Sequence, residues 1–373
     1  MVPILALKKI GQELMSDKIN QIEPNISIED IEAVTEYMGS GNWITEHKVT
    51  NKLENDISEY VGRKYGIAVP NGTIAIYLAL VANDIKEGSR VAVPNITMIA
   101  SINAVLWSGA EPVIIDTNED YCMSLKSLDS AQNIDAVIYV PLNGRTSQGS
   151  EIESYCKNNN KLLIEDSAHA LGSNYLNKKC GSLGDISILS FTPHKIITMG
   201  QGGMLLFDNE NLYEKILDLK TFNRSKDKSD SHKGFGLNFK ITDLQASLGL
   251  SQLKNLEKFI NIKKNIYKQY KKLLKVDGLN KFLNYETPWF IDFACNSNEE
   301  QVKLASYLDS FGIVTRYSYP SLSSQGFLKD TDRVDLSFSE SFADKIIWLP
   351  SSTNLKSENI EFVTTKINEF YNK

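Results

Sequence analysis

Between Tyr65 and Phe207 the chain alternates short apolar runs with stretches of helical spacing, and this rhythm restricts its fold more than any other feature. Residues 65–69 are a short apolar run, Asn71-Gly72 marks a turn, and a helix begins near Thr73. Arg90–Pro94 reads as a strand, Ile99–Trp107 as a helix, and Glu111–Asp116 and Asp135–Pro141 as strands. Ile152–Asn159 has helical spacing and Lys161–Asp166 is again strand-like. Two more strand-length runs, Ile186–Phe191 and Met204–Phe207, flank a connection rich in glycine. Runs that are apolar throughout, rather than alternating, belong to strands covered on both faces, and strands separated by helices join in parallel. The expectation is an α/β chain with a mostly parallel sheet between helices, and in such sheets ligands sit at the carboxyl ends of the strands.

Outside this region, Ser27–Tyr37 reads as a helix capped by Ser27 and stopped by the Gly39–Trp43 segment, and Val49–Tyr60 has helical spacing. Thr242-Asp-Leu-Gln245 is a capping box. It opens what reads as one long amphipathic helix through Leu256, Ile260, Ile266 and Tyr270, bridging to a second domain. Ser357–Tyr371 closes the chain as a helix with Ile360, Val363, Ile367 and Phe370 on one face.

Composition removes several function classes. At 373 residues the chain suits a large domain plus a smaller one. A net charge of −6 argues against a nucleic-acid partner. No apolar run reaches membrane-spanning length, and the apolar part of MVPILALKKIGQEL is too short for a signal peptide and lacks a small-residue cleavage site. The cysteines 122, 156, 180 and 295 are scattered without a CxxC pair, which reads as reduced cytoplasmic thiols. The four histidines are dispersed, so no metal site is expected.

The chemistry centres on Asp185–Gly203. Pro193 ends the strand that precedes it, Lys195 follows at once, and the Gly200-Gln-Gly-Gly203 turn leads into the next strand. A lysine held between two buried strands loses hydration; its pKa falls and its amine becomes a nucleophile. Asp166 stands at the carboxyl end of Leu162-Leu-Ile-Glu-Asp, where by itself it would be an ordinary helix cap. Gly72-Thr73 opens a helix whose free amides and dipole suit an anion. Pyridoxal 5′-phosphate needs these three things together: a lysine for its aldehyde, a carboxylate for its pyridine nitrogen, and amides and hydroxyls for its phosphate.

With these residues in view, the chain resembles the DegT/StrS-type nucleotide-sugar aminotransferases, a branch of the fold-type I, aspartate-aminotransferase-like enzymes. The likeness runs from about Asn25 to Tyr371. It is carried by Asn71–Leu80, Val93–Ser101, Gly109–Val113 with Asp116, Ile164–Gly172, Gly184–Ser187, Ser190–Lys195 with Thr198–Gly203, Asn238–Ala246, Thr315–Pro320 and Leu349-Pro350, through their order and spacing. Within the family the chain resembles perosamine-synthase-type members. The resemblance implies a large cofactor-binding domain over residues 25–255 and a smaller α+β domain over 256–373, with residues 1–24 an extension of unassigned role.

It also implies roles. Lys195 corresponds to the Schiff-base lysine and proton shuttle, Asp166 to the partner of the pyridine nitrogen, and His169 to a side chain beside the ring. Gly72, Thr73 and Ser190 correspond to the phosphate cradle. Asn238 corresponds to an asparagine that reaches the phosphate in a neighbouring subunit, which implies a homodimer with shared active sites. Met98 stands where an aromatic residue usually covers the ring, and a thioether can pack there. Trp43, Asn143, Lys240 and Arg316 fall in segments expected to meet the substrate. Gln201, Lys240, Asn143-Gly-Arg145 and Ser323 depart from the common pattern. The expected reaction is transfer of an amino group from glutamate to a nucleotide-linked 4-keto-6-deoxyhexose in the cytoplasm; a 3-keto sugar or a ketone without a nucleotide stays open.

Three rival readings fit the sequence less well. A dehydratase branch carries histidine in place of the lysine, but counting back from the Gly-Gln-Gly-Gly turn puts Lys195, not His194, at that position. A non-catalytic regulator has no need of Lys195 and Asp166. A nucleotide-binding dehydrogenase lacks its GxGxxG here.

Overall fold

The computed structural model describes residues 18–225, 227 and 230–372, so residues 1–17 of the expected N-terminal extension lie outside it. Its centre is an eight-stranded sheet in the order β1-β7-β6-β5-β4-β2-β3-β10. The strands are β1 (Tyr65–Val69), β2 (Arg90–Pro94), β3 (Glu111–Ile115), β4 (Ala136–Tyr139), β5 (Leu162–Asp166), β6 (Ile186–Ser190), β7 (Gly203–Phe207) and β10 (Asp332–Arg333). Strands β6, β5, β4, β2, β3 and β10 run parallel, while β7 pairs antiparallel with both β6 and β1. This is the mostly parallel mixed sheet that the alternation of runs predicts.

The uninterrupted apolar character of the strands has a direct cause. Ile67, Val69, Val91, Val93, Ile138 and Ile164 pack into one layer with the helix Gly72–Ala82. Their neighbours face the opposite layer, where Ala68 and Leu189 join one cluster and Ala92, Val137 and Leu163 another. Both faces are thus covered, and exposed strand positions are confined to the start of β3 at Glu111 and to the two-residue edge strand β10 at Asp332.

A second sheet, β8-β11-β9, is antiparallel and consists of β8 (Ile291–Ala294), β9 (Arg316–Tyr317) and β11 (Ile346–Leu349). The helices 256–273, 298–309 and 357–371 pack against it through Ile266, Tyr270, Leu304, Leu308, Val363 and Ile367.

Three features differ from the sequence reading. The single long helix expected after Thr242 is two helices, Asp243–Lys254 and Leu256–Leu273, separated at Asn255. The first buries Ala246, Ser247, Gly249 and Ser251, while the second buries Phe259, Ile260, Ile266 and Tyr270 against other elements, and one straight helix cannot present both faces. The second difference is that residues 322–343 return to the large sheet. Strand β10 pairs with β3, and Leu322, Leu328 and Leu336 join the principal core. The third lies at the other end: Ile19 bridges to Ile313, and Gln21 donates to the carbonyl of Leu349 and accepts from the Ser351 amide through its own carbonyl.

Among the described residues no helix is long and apolar enough to cross a membrane, and no group of ligating side chains could hold a metal ion.

Candidate active site

The carboxyl ends of β5 and β6, the start of the helix Gly72–Ala82 and the connection after β6 enclose a cavity of about 100 Å³. Gly72, Thr73, Met98, Asp166, His169, Ser190 and Lys195 all line it. Larger cavities of about 830 and 560 Å³ lie elsewhere, but neither gathers a lysine, a buried carboxylate and a helix N-terminus.

Each wall has a local cause. Asn71 caps the helix by accepting from the amide of Ile74, so the amides of Gly72 and Thr73 remain at the helix entrance with the positive end of its dipole. Gly203 at the start of β7 comes so close to this turn that a Cβ would lie 2.4 Å from the Asn71 carbonyl carbon, and only glycine fits there. A Cβ on Gly72 would meet Ser190 Cβ at 3.3 Å, so the two residues frame one recess.

The cavity's electrostatics follow from burial. Lys195 is half-buried as a residue, with its amine inside, and desolvation lowers its pKa to about 7. The charge of Asp166 opposes that fall and the charge of Arg316 adds to it. Asp166 is only 5% exposed, and burial raises its pKa. Ser101 Oγ donates to its Oδ2 at 2.8 Å and the Ala168 amide donates to Oδ1 at 3.2 Å, both favouring the anion, as does the charge of Lys195. His169 is buried, and desolvation, aided by Lys195, pushes its pKa well below the ordinary value, so the imidazole is neutral. Its Nδ1 is buried with no hydrogen-bond partner.

Pyridoxal 5′-phosphate fits these residues. The orphaned His169 Nδ1, the buried carboxylate of Asp166, which has no ion-pair partner among the described residues, and the recess framed by Gly72 and Ser190 would suit a phosphorylated, cationic ring.

Not all the sequence-selected residues meet here. Asn238 and Lys240 are exposed and do not line the cavity; Lys240 Nζ lies 5.9 Å from the Phe222 ring centroid. Trp43 is 70% exposed, with its carbonyl accepting from the Tyr37 hydroxyl. Arg316 is exposed, 5.6 Å from the Trp348 ring centroid, and reaches the cavity through its charge. Asn143, expected near the substrate, lies in the interior. Its amide donates to Phe290 O and Asp292 Oδ1 and accepts from the Phe290 amide, so it anchors a loop to β8 and turns nothing outward. Its neighbour Arg145 is buried in an ion pair with Asp292 at 2.5 Å.

Three residues of the site escaped the sequence reading. Trp289 stacks on His169 with ring centroids 4.2 Å apart, and its ring centroid lies 4.1 Å from Lys195 Nζ. Tyr319 lies nearly parallel to the imidazole with ring centroids 5.8 Å apart, its hydroxyl 3.4 Å from His169 Nε2. Ser101 holds Asp166. Ser101 and Tyr319 fall in the Val93–Ser101 and Thr315–Pro320 segments that carry the family likeness, which is the signal that could have found them.

Comparison with known proteins adds the following. Residues 24–368 match the DegT/DnrJ/EryC1/StrS aminotransferase family. The chain is 33% identical to GDP-perosamine synthase of Escherichia coli O157:H7, over 94% of this chain and 97% of that protein. It is 27% identical to GDP-perosamine synthase of Vibrio cholerae, over 94% and 98%. Its fold superimposes on PseC of Helicobacter pylori, an aminotransferase involved in the biosynthesis of pseudoaminic acid, with a TM-score of 0.89 at 22% identity, covering 95% of this chain and all of that one.

Proposed function

The chain belongs to the DegT/DnrJ/EryC1/StrS aminotransferase family, and from that premise we propose that it moves an amino group from glutamate to a nucleotide-linked 4-keto-6-deoxyhexose, at C4. It is a pyridoxal 5′-phosphate-dependent aminotransferase of the aspartate-aminotransferase-like fold. The observation that carries the site assignment is the convergence of Lys195, Asp166 and the Gly72–Thr73 helix entrance on one cavity.

When bound, the cofactor supplies a carbonyl that accepts the amino group and a ring that withdraws electrons from the reacting carbon. The protein's residues do the rest. Lys195 Nζ, its pKa lowered to about 7 by burial, would take the proton from the donor's Cα and return it at C4′ of the cofactor, since both charge states of the amine are accessible near neutral pH. Asp166 would hold a proton on the ring nitrogen. The amides of Gly72 and Thr73 and the Ser190 hydroxyl hold the phosphate. His169, held against Trp289 and Tyr319 and kept from protonation by burial, would stand beside the ring. Met98, 40% exposed, covers the outer face. Arg316 and Lys240 meet the anionic groups of the substrates, and Trp43 lies along the sugar.

Lys195 lies in the cavity while His194 is exposed, which supports transamination over dehydration. The exposure of Asn238 is consistent with a homodimer in which it completes the partner's phosphate site; sedimentation showing an active monomer refutes that. We divide the chain near residue 255, with residues 322–343 assigned back to the large domain, and place the enzyme in the cytoplasm.

The test converts the loaded enzyme to its amino form with glutamate, adds candidate ketones one at a time, and follows return of the visible band. Recovery with a 4-keto-6-deoxy nucleotide sugar is expected. Recovery only with a 3-keto sugar, or with a ketone lacking a nucleotide, overturns the substrate and leaves the reaction class.

A further inference from the structure

Lys263 sits in the middle of the helix Leu256–Leu273, is 1% exposed, and meets no carboxylate among the described residues. A buried ammonium is costly unless its N–H groups find acceptors. This one finds two, donating to the carbonyl of Trp289 at 2.7 Å and to that of Ser351 at 2.5 Å. Trp289 is held at its other end as well: its indole Nε1 donates to the carbonyl of His194 at 2.7 Å. Between these two anchors the ring stacks on His169 and lies under the Lys195 amine. An apolar side chain in place of Lys263 would leave two interior carbonyls unsatisfied and leave the main chain of Trp289 held by its amide alone, which donates to the Asn143 carbonyl at 3.2 Å.

We infer that Lys263 is a positioning residue of the active site: by fixing the main chain of Trp289 it sets the indole against which Lys195 and His169 are aligned. The inference rests on the assignment of Lys195 made above. Its reach is longer than a core contact, because the second carbonyl belongs to the loop after β11. The Ser351 amide in that loop donates to Gln21 O, and the preceding carbonyl, Pro350 O, accepts from the Tyr270 hydroxyl. One ammonium therefore joins the small sheet's loop to the wall of the cavity.

The experiment uses the cofactor-loaded full chain with Lys263→Met, Lys263→Arg, Trp289→Phe and the Lys263→Met/Trp289→Phe double variant. It reads the pH midpoint of the visible band and, separately, the maximal rate of the glutamate half-reaction and the glutamate concentration giving half that rate. Lys263→Met is expected to slow the half-reaction about tenfold or more, since small misplacements of reacting groups have effects of that order. The half-saturating concentration should change little. The band midpoint should move to lower pH, because an indole face stabilises a cation beside it. Lys263→Arg, which keeps the charge and the donors, should restore most of both. The double variant should be no slower than the worse single one, as both act through the same ring. A Lys263→Met enzyme with lowered thermal midpoint but unchanged band and half-reaction rate overturns the inference, as do fully multiplicative effects in the double variant. If Lys263→Met is insoluble, Lys263→Gln, which still reaches one carbonyl, is expected to act in the same direction, and an unchanged band there overturns the inference equally. If the unmodified chain has no visible band that borohydride fixes to Lys195, the site assignment itself fails and this inference with it. A normal band there with unaltered variants removes only the role of Lys263.

Discussion

Replacing Ser101 with alanine should move the pH dependence of the glutamate half-reaction without changing its plateau. Ser101 is fully buried and its hydroxyl gives Asp166 its shorter hydrogen bond, 2.8 Å against 3.2 Å from the Ala168 amide. A hydrogen bond to a charged group contributes about 1.5–3 kcal/mol, and one pH unit corresponds to about 1.36 kcal/mol. Loss of the bond therefore raises the carboxyl pKa by roughly one to two units if nothing replaces it. The Ala168 amide remains, so the lower figure, roughly one unit, is the expectation. The sign is fixed: the hydroxyl favours the anion, its removal favours the neutral acid, and the acid limb of the rate profile moves to higher pH. Well above that limb the carboxylate is ionised in both proteins and their rates should agree within about twofold. Stopped-flow measurement of the half-reaction across about three pH units on the acid side reads the shift directly. An acid limb that stays in place, or moves to lower pH, refutes the role given to Ser101 and weakens that given to Asp166.

Lys195→Ala should abolish turnover and the borohydride labelling of that position; normal transamination in this variant would remove the central assignment. Gly72→Ala puts a methyl 3.3 Å from Ser190 Cβ, inside the recess assigned to the phosphate, and equilibrium dialysis should show cofactor retention weakened by about tenfold, whereas unchanged retention would move the phosphate elsewhere. Burial raises the Glu54 carboxyl from its ordinary 4.5 to about 7, against the opposing charge of Lys220. Between those values the folded chain keeps a proton that the unfolded chain releases, so stability falls as pH rises through that window. Glu54→Gln should accordingly raise the thermal midpoint at about pH 8 and leave it nearly unchanged at about pH 5; the reverse pattern would show that the ion pair with Lys220 outweighs desolvation.

What could be read from the sequence was what local physics determines. Apolar runs of strand length report burial on both faces, so the layered α/β sheet was legible from Tyr65 to Phe207. Lys195, Asp166 and Gly72 were legible because each sits at an element's end, where composition changes abruptly. Trp289 was not, because its place against His169 depends on a contact across 120 positions, and an interior tryptophan looks the same in sequence whatever it touches. Asn143 misled for a related reason: a polar residue in a loop suggests exposure, and nothing local reveals that Phe290 and Asp292 would use all its hydrogen-bonding groups. Strand β10 is two residues long, too short for any periodicity, and is defined only by its partner β3.

The attachment of residues 19–21 to the far end of the chain sets a schedule for biosynthesis. Gln21 and Leu349 are bonded across 328 positions. A ribosome adding roughly 5–20 residues per second needs about 15–65 s to make the second after the first. Throughout that interval the large sheet can assemble strand by strand from β1 to β7, whereas the segment around Ile19 and Gln21 has no docking place, because β11 and the residues around Ile313 do not yet exist. The three-stranded sheet is therefore completed last, together with the attachment of residues 19–21, and so is the Lys263–Ser351 bond, whereas Lys263 and Trp289 are both in place some 60 residues earlier. A nascent chain released before residue 351 has the strands of the pocket but not the second anchor of its wall.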